Sequence, residues 1–495
     1  MTKYPPLLAI DQGTTSTRAM LFDAAGEPLA SHSIPLRQFY PANGWVEHDA
    51  EEVWQAVVTC CGEAVRAVSV SDIAAIGIAN QRETVMLWDR ATSRPLHNAI
   101  VWQDRRTSER CRELRQDGKE QLVTQRTGLL LDPYFSATKL EWLLDNVSGA
   151  RERAGGGELA SGTVDSWLIY RLTGGRVHAT DVTNASRTML LNIRTLQWDE
   201  DMLRLFHIPR AILPQVQGCT ADFGRADILG ASLPILGVAG DQQAAAIGQA
   251  CFAPGTVKST YGTGCFMLVN SGGTAATSSN RLLTTPAYQI AEKATYAIEG
   301  SIFIAGAIVQ WLRDELGVIH SSEEVEALAA RSKPISGLYF VPAFTGLGAP
   351  YWDAEARGAI LGLTRDAGAA EIARAALDAV CYQTCDLVEA ISSDMTSAGL
   401  GVPKTLRVDG GMVTSDDFCQ RLADLTGLAI ERPRITETTA LGAAYLAGLG
   451  AGIFRSETEV SLLWKLDKRF TSKLAAGQRD ELYAGWKKAV VRIRS

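Results

Sequence analysis

The segment Asp11-Gln12-Gly13-Thr14-Thr15-Ser16-Thr17-Arg18 concentrates a carboxylate, a glycine, hydroxyls and a guanidinium in one short stretch. Phosphoryl transfer needs such a set: donors around the β- and γ-phosphates, and a metal to neutralise charge. A glycine turn lets backbone N–H groups point inward, and the hydroxyls of Thr14, Thr15 and Ser16 add donors. Arg18 adds a positive charge. Asp11, at a strand end, is placed to hold Mg²⁺ through waters, because that ion dehydrates reluctantly. Taken alone, the segment also reads as a Thr-rich hairpin turn.

Four further segments carry chemistry. Tyr261-Gly262-Thr263-Gly264 is a second turn with glycine and hydroxyl, weak alone because such hairpins are common. Paired with the first, it makes a two-sided phosphate clamp. Asp409-Gly410-Gly411 lets a flat base or ribose approach the backbone, or is simply a tight strand-to-helix turn. Asn80-Gln81-Arg82-Glu83 follows a strand. Arg82 and Glu83 offer the donors and acceptors that a polyol requires if both turn into a cleft; otherwise they form a surface ion pair of little energy. In Gly240-Asp241-Gln242-Gln243 the acid can accept the proton of an attacking hydroxyl. Asp241 also reads as a helix N-cap, a role compatible with catalysis. No G-x-x-x-x-G-K-[ST] loop and no protein-kinase signature set occurs. The Gly346-x-Gly348 and Gly448-x-Gly450 pairs open no Rossmann-type unit. Cys381 and Cys385 have helical spacing but no accompanying histidine, so they read as core.

The elements that would carry these residues form a repeated pattern. Leu7–Ile10 is a short apolar strand, Ala19–Phe22 a second, Glu51–Val70 a helix and Ile73–Ala79 a buried strand. The second half opens likewise, with strands at Thr256–Thr260 and Cys265–Val269. Gly237–Asp241 and Leu406–Asp409 are both strands that end in an acid and lead into a helix, the latter beginning near Ser415. Asp416 and Asp417 in its first turn suit the helix dipole. The chain therefore reads as two α/β halves with a junction near Cys251–Gly255, divided as residues 1–250 and 251–495, with a ligand cleft between them.

Length fits two to four domains: the chain has 495 residues. Its formal charge of 48 − 55 = −7 disfavours a nucleic-acid partner. Met1–Leu8 lacks the apolar stretch of a signal peptide, and the apolar run Ser301–Leu312 is too short to span a bilayer. Nine scattered cysteines without a C-x-x-C pair read as reduced thiols of a cytoplasmic protein.

Together these segments resemble the FGGY carbohydrate kinases over nearly the whole chain, roughly Leu8 to Gly450. The strongest stretches add Ile100-Val101-Trp102-Gln103, Tyr134–Asn146, Ser186-Arg187-Thr188-Met189 and Val341–Trp352 to those above. The resemblance implies two actin-like (ribonuclease H-like) ATPase lobes flanking a nucleotide cleft. It implies ATP, Mg²⁺ and a small polyol, with glycerol favoured. Arg82 and Glu83 would bond hydroxyls opposite Asp241 and Gln242, Tyr134 would add a contact, and Trp102 and Phe266 would line the carbon chain. Asp241 would be the general base and Asp11 the metal ligand. Thr14, Thr15, Ser16, Arg18 and Thr263 would meet the phosphates, and Gly306, Gln310, Gly411 and Ser415 the rest of the nucleotide. Ser415 departs from the pattern, in which an Asn contacts the adenine; a Ser is shorter, which bears on nucleotide selectivity. Some bacterial members bind fructose 1,6-bisphosphate through a Gly-Gly-Thr-Arg loop. Here Gly230-Ala231-Ser232-Leu233 lacks the Arg, so no such inhibition is expected. Arg455–Phe470 departs from the segment that some members use to bind a sugar-transport phosphocarrier, and that partner is not expected. A homo-oligomer, dimer or tetramer, is. The competing readings are another polyol or ketose kinase, which would need a roomier pocket, an actin-like ATPase, which would not need the Arg82–Glu83 and Asp241–Gln242 set, and an inert scaffold that keeps the fold.

Overall fold

The computed structural model of the chain describes residues 5–333, 337–353 and 355–494. The start of the Met1–Leu8 stretch thus lies outside the described residues. Strands β1 (Leu7–Gln12), β2 (Ser16–Phe22) and β3 (Pro28–Pro35) form an antiparallel meander. β4 (Ala75–Asn80) pairs parallel to β1, and β5 (Leu233–Gly240) parallel to β4. The order is β5-β4-β1-β2-β3, with a short edge strand at Arg225–Ala226 beyond β5. All of β4 is buried, as a parallel strand covered on both faces must be.

The second half repeats this plan. β6 (Val257–Tyr261), β7 (Cys265–Gly272) and β8 (Lys293–Ile302) make the meander. β9 (Thr405–Asp409) and β10 (Ala429–Pro433) add parallel strands. The order β8-β7-β6-β9-β10 matches the first sheet position for position, with Leu283–Ile290 and Leu466–Phe470 on the two edges.

Between β4 and β5 the chain builds three strands of a separate four-stranded sheet, whose fourth strand, Glu47–His48, precedes β4, and helix α1 (Ser136–Asn146). Helix α2 (Asp241–Gly248) follows β5. α3 (Gly306–Asp314) follows β8, α4 (Asp416–Thr426) follows β9, and α5 (Thr438–Gly450) follows β10. Although α5 belongs to the second half in sequence, it packs across the first sheet and against α2. A side chain at Gly77 would place its Cβ 2.0 Å from the Ala443 carbonyl oxygen, and one at Gly442 would place it 1.8 Å from that of Ala244. Only glycine permits backbones this close.

One local expectation needs correction. The helix expected over Glu51–Val70 runs only from Ala50 to Ala64, with Asp49 accepting from the N–H groups of Glu51 and Glu52. It gives way to 3₁₀ turns at Val65–Ala67 and Val70–Asp72. β-Branched residues alternating with Ser69 and Ser71 weaken the helix there.

Candidate active site

The residues expected on the polyol side converge because β4 stops at Asn80. Glu83 then takes a positive φ of 60°, uncommon for a residue with a side chain, and both Arg82 and Glu83 turn inward and are buried. Arg82 Nε lies 3.2 Å from Asp241 Oδ1 and makes no hydrogen bond among the described residues. Its terminal nitrogens are taken: NH1 by Glu299 Oε2 at 2.5 Å and Gln243 Oε1 at 3.1 Å, NH2 by Glu299 Oε1 at 3.0 Å. The nitrogen left toward Asp241 is therefore Nε. Glu83 is held in the same way, with Arg187 Nε donating to its Oε1 at 2.6 Å. Arg187 NH2 donates to Glu299 Oε1 at 2.9 Å.

This buried quartet carries strong electrostatics. Burial opposes charge on Glu299, but Arg187 and Arg82 outweigh it and hold the carboxyl at about 2. For Glu83, burial wins over the two arginines and its pKa is raised.

Asp241 is the first residue of α2, and Gly240 is the cap. The N-cap reading of Asp241 is thus displaced by one residue. Its Oδ1 accepts from the Gln242 N–H at 2.7 Å in addition to facing Arg82. Its side chain keeps 29% of its exposure, so Oδ2 can meet a ligand. The apolar wall is assembled edge to face: Trp102 lies 5.6 Å from Tyr134 and 6.1 Å from Phe266, ring to ring. Phe266 comes from β7, across the cleft from the others. Lys139 on α1 is buried and donates to the carbonyls of Tyr134 at 2.9 Å and Val101 at 3.4 Å. It thereby steadies both backbone segments that carry the wall.

The first loop expected to hold phosphates is shorter than the sequence suggests: β1 and β2 extend inward until only Gly13-Thr14-Thr15 remain between them. Gln81 Nε2 donates to Gln12 Oε1 at 3.0 Å and to the Gly13 carbonyl at 3.1 Å. Trp102 Nε1 donates to Thr14 Oγ1 at 2.8 Å, which leaves the Thr14 hydroxyl proton for an anionic ligand. Asp11 pairs with Arg18 in the β1–β2 register. Burial pushes Asp11 up to about 7; Arg18 opposes this, while Asp241 and Glu437 add to it. Arg18 forms an ion pair with Glu437, just ahead of α5, so its charge is shared.

In the second lobe the Gly262 and Thr263 carbonyls accept from the N–H groups of Ala305, Gly306 and Ala307. This seats the loop on the start of α3 with the Thr263 side chain exposed. Gln310 lies one turn beyond Gly306 and is exposed. Gly410 has φ 93°, and a Cβ there would lie 2.5 Å from the Tyr261 carbonyl oxygen, whereas one at Gly411 would meet nothing within 4 Å. The β9 turn, the second loop and α3 therefore share one side of the cleft, with Met412 Cγ 3.8 Å from where a Gly306 Cβ would stand. Ser415 caps α4, its Oγ accepting from the Phe418 N–H at 2.9 Å. A Ser at that position is thus explained by local structure.

Five residues beside the site had no role assigned from sequence: Glu299, Arg187, Gln243, Lys258 and Lys139. Arg187 and Lys139 fall inside stretches noted for resemblance, but nothing local marks either as a partner of the pocket. The nine cysteines are all free and buried. No group of three or more metal-binding side chains occurs among the described residues, and no described helix is long and apolar enough to cross a membrane. In the loop at Gly230–Leu233, Arg225 Nε donates to Ser232 Oγ at 3.0 Å.

Comparison with known proteins adds the following. Residues 7–248 match the N-terminal domain of the FGGY family of carbohydrate kinases, and residues 257–451 its C-terminal domain. The chain is 57% identical over 493 residues to glycerol kinase 1 of Pseudomonas aeruginosa, covering 99% of each. It is 56% identical to glycerol kinase of Ectopseudomonas mendocina, covering 100% of each. Among solved structures it resembles Plasmodium falciparum glycerol kinase with ADP, at a TM-score of 0.90 and 38% identity over 99% of this chain and 98% of that one. A xylulose kinase from Lactobacillus acidophilus, 24% identical with a TM-score of 0.86 over 98% of each chain, shares the fold.

Proposed function

The chain belongs to the FGGY family of carbohydrate kinases, and on that premise we propose that it transfers the terminal phosphoryl group of ATP to glycerol, giving sn-glycerol 3-phosphate. The observation that carries this reading is the state of Asp241: Oδ1 is occupied by the Gln242 N–H and faced by Arg82 Nε, while Oδ2 has no partner among the described residues. An acid so fixed presents one oxygen to a ligand hydroxyl. Oδ2 accepts the hydroxyl proton as the oxygen attacks phosphorus, and the departing ADP takes the bond electrons.

Arg82 Nε and the second oxygen of Glu83 bond the remaining hydroxyls, and Tyr134 adds a contact. Trp102 and Phe266 cover the carbon backbone. This aromatic enclosure suits a three-carbon polyol better than a longer sugar. Thr14, Thr15, Ser16 and Arg18 from one lobe and Thr263 from the other hold the phosphates. Gly306, Gln310, Gly411 and Ser415 line the remainder of the nucleotide, with Gly411 open for close approach. The donor set fits hydrated Mg²⁺: Asp11 is a hard oxygen ligand whose proximity to Asp241 a divalent cation relieves, and Mg²⁺ is commonly held by one or two carboxylates plus substrate phosphates. Bound there, it supplies charge neutralisation for the phosphates. A cytoplasmic location and a homo-oligomeric state, dimer or tetramer, belong to the same reading; sedimentation decides the latter.

Initial rates with ATP, Mg²⁺ and a panel of glycerol, pentuloses and other polyols test the proposal. Glycerol is expected to give the highest kcat/KM. A pentulose preferred over glycerol overturns the substrate, and no acceptor-dependent ADP release overturns the activity. Asp241→Asn is expected to lower kcat by about 10²–10⁴-fold while leaving glycerol affinity by calorimetry within about threefold, since the amide still accepts the Gln242 N–H. Retained turnover removes Asp241 as the base.

A further inference from the structure

Lys258 is a buried cation that the mechanism above does not use. It stands on β6, in the second lobe, with no solvent exposure. Its Nζ lies 2.5 Å from Oε1 of Gln242, at the start of α2 in the first lobe, and 2.9 Å from Thr260 Oγ1. Burial lowers its pKa, and the carboxylates of Asp409 and Asp241 support its charge. Burying a lysine is costly unless it is bonded, and this one is bonded to Gln242 of the pocket and to Thr260 beside it on β6.

An ammonium has donors and no acceptor, whereas a glutamine amide has one end of each kind. The orientation of such an amide is usually ambiguous. Here the contact settles it: Oε1 faces Lys258, and the NH₂ end points the other way. We propose that Lys258 is a positioning residue that locks the Gln242 amide with its NH₂ group toward the acceptor substrate, so that the polyol pocket offers a donor at that point. The chemistry around it makes this matter. Asp241 Oδ2 and Glu83 can only accept when ionised, so hydroxyls that donate to them need donors for their lone pairs. Arg82 Nε supplies one and Gln242 Nε2 supplies the second. Without Lys258 the amide is free to turn and present a third acceptor.

The proposal rests on the polyol-kinase reading, and a kinetic cycle separates the two. If the wild-type chain does not phosphorylate glycerol, that reading fails; if it does, the cycle judges Lys258 alone. Lys258→Met is expected to raise the glycerol KM about tenfold and the ATP KM by less than about twofold. In a Gln242→Ala background the same substitution is expected to change the glycerol KM by less than about threefold, because its route of action is gone. An equal rise in both KM values, or a full effect that persists without the Gln242 amide, overturns the proposal. Should Lys258→Met fail to fold by circular dichroism and thermal unfolding, Gln242→Glu keeps the test alive. With Lys258 holding one carboxylate oxygen, the other only accepts, so its glycerol KM is expected to equal or exceed that of Gln242→Ala. A lower KM than that of Gln242→Ala overturns the proposal.

Discussion

Lys139 shows how a single buried charge ties the pocket to the stability of the fold. Its ammonium donates to the backbone carbonyls of Val101 and Tyr134, and burial pushes it down to about 7 against a usual 10.5, with Glu83 the largest opposing charge. Between those two values the unfolded chain binds a proton that the folded chain has released, so stability rises with pH across the window. Below about 7 both states hold the proton and the slope vanishes. Lys139→Met removes this contribution. The stability difference between wild type and Lys139→Met is therefore expected to shift in favour of wild type by on the order of 2 kcal/mol between pH 7 and pH 9. Chemical denaturation at the two pH values reads it, and a pH-independent difference contradicts it. Arg82, Glu83, Asp241 and Gln242 were legible because each follows a strand within a short polar segment, whereas Trp102, Tyr134 and Phe266 were reached only through the family resemblance. The partners of Arg82 and Glu83 were not legible. Arg82 and Glu299 are 217 positions apart, and Arg187 and Glu83 are 104 apart. An arginine in a helical turn and a glutamate inside an apolar strand carry no local sign that they meet. Glu299, just ahead of the apolar run Ser301–Leu312, is the counter-ion of two arginines.

Glycines separate two kinds of element contact. At Gly442 α5 touches the backbone of α2, and no side chain fits. Gly442→Ala must push α5 away from α2 and from the first sheet, and it is expected to lower stability by about 3 kcal/mol or more, or to abolish soluble expression. At Gly411 the space is open and a Cβ meets no protein atom. Gly411→Ala is expected to keep the wild-type unfolding temperature within about 2 °C while raising the ATP KM, because the added methyl stands where a nucleotide would lie. A destabilised Gly411→Ala, or one with unchanged ATP KM, removes that residue from the nucleotide site. At this scale strands were read with their true ends to within a few residues, since buried apolar runs stop where polar turns begin. The helix at Ala50–Ala64 was read too long, because its apolar spacing continues past the point where β-branched and serine residues unwind it. The seating of α5 was invisible: its sequence, Thr438–Gly450, is apolar on all sides and names no partner.

The lobes meet behind the pocket through charges and hydrogen bonds as well as apolar packing, for Leu283 and Ala297 of the second half share one buried cluster with Val182 and Met189 of the first. Glu299 and Lys258 of the second lobe hold Arg82 and Gln242 of the first. At the base, Asp409 accepts from Gln249 Nε2 and from Thr438 Oγ1, both at 2.8 Å. The two-half plan was legible because both halves begin with the same strand–turn–strand pattern. A division at residue 250 describes the order of the chain, and α5 crosses back to the first sheet. The polyol end of the cleft is thus already bridged, whereas Thr15 and Thr263 on the facing phosphate loops remain exposed. On the proposed reading, nucleotide phosphates that bond both loops would draw the lobes together about the bridged end, and closure would exclude water that otherwise hydrolyses ATP. Glycerol alone is then expected to change the radius of gyration little, and glycerol with a non-hydrolysable ATP analogue to reduce it, as read by small-angle scattering. Thr263→Val removes one hydroxyl of the second loop without touching the polyol pocket. It is expected to weaken the analogue-induced compaction while glycerol affinity stays unchanged. Compaction that appears in full with glycerol alone would place the trigger at the polyol end, and closure would then be driven through Glu299 and Lys258 instead of the phosphate loops.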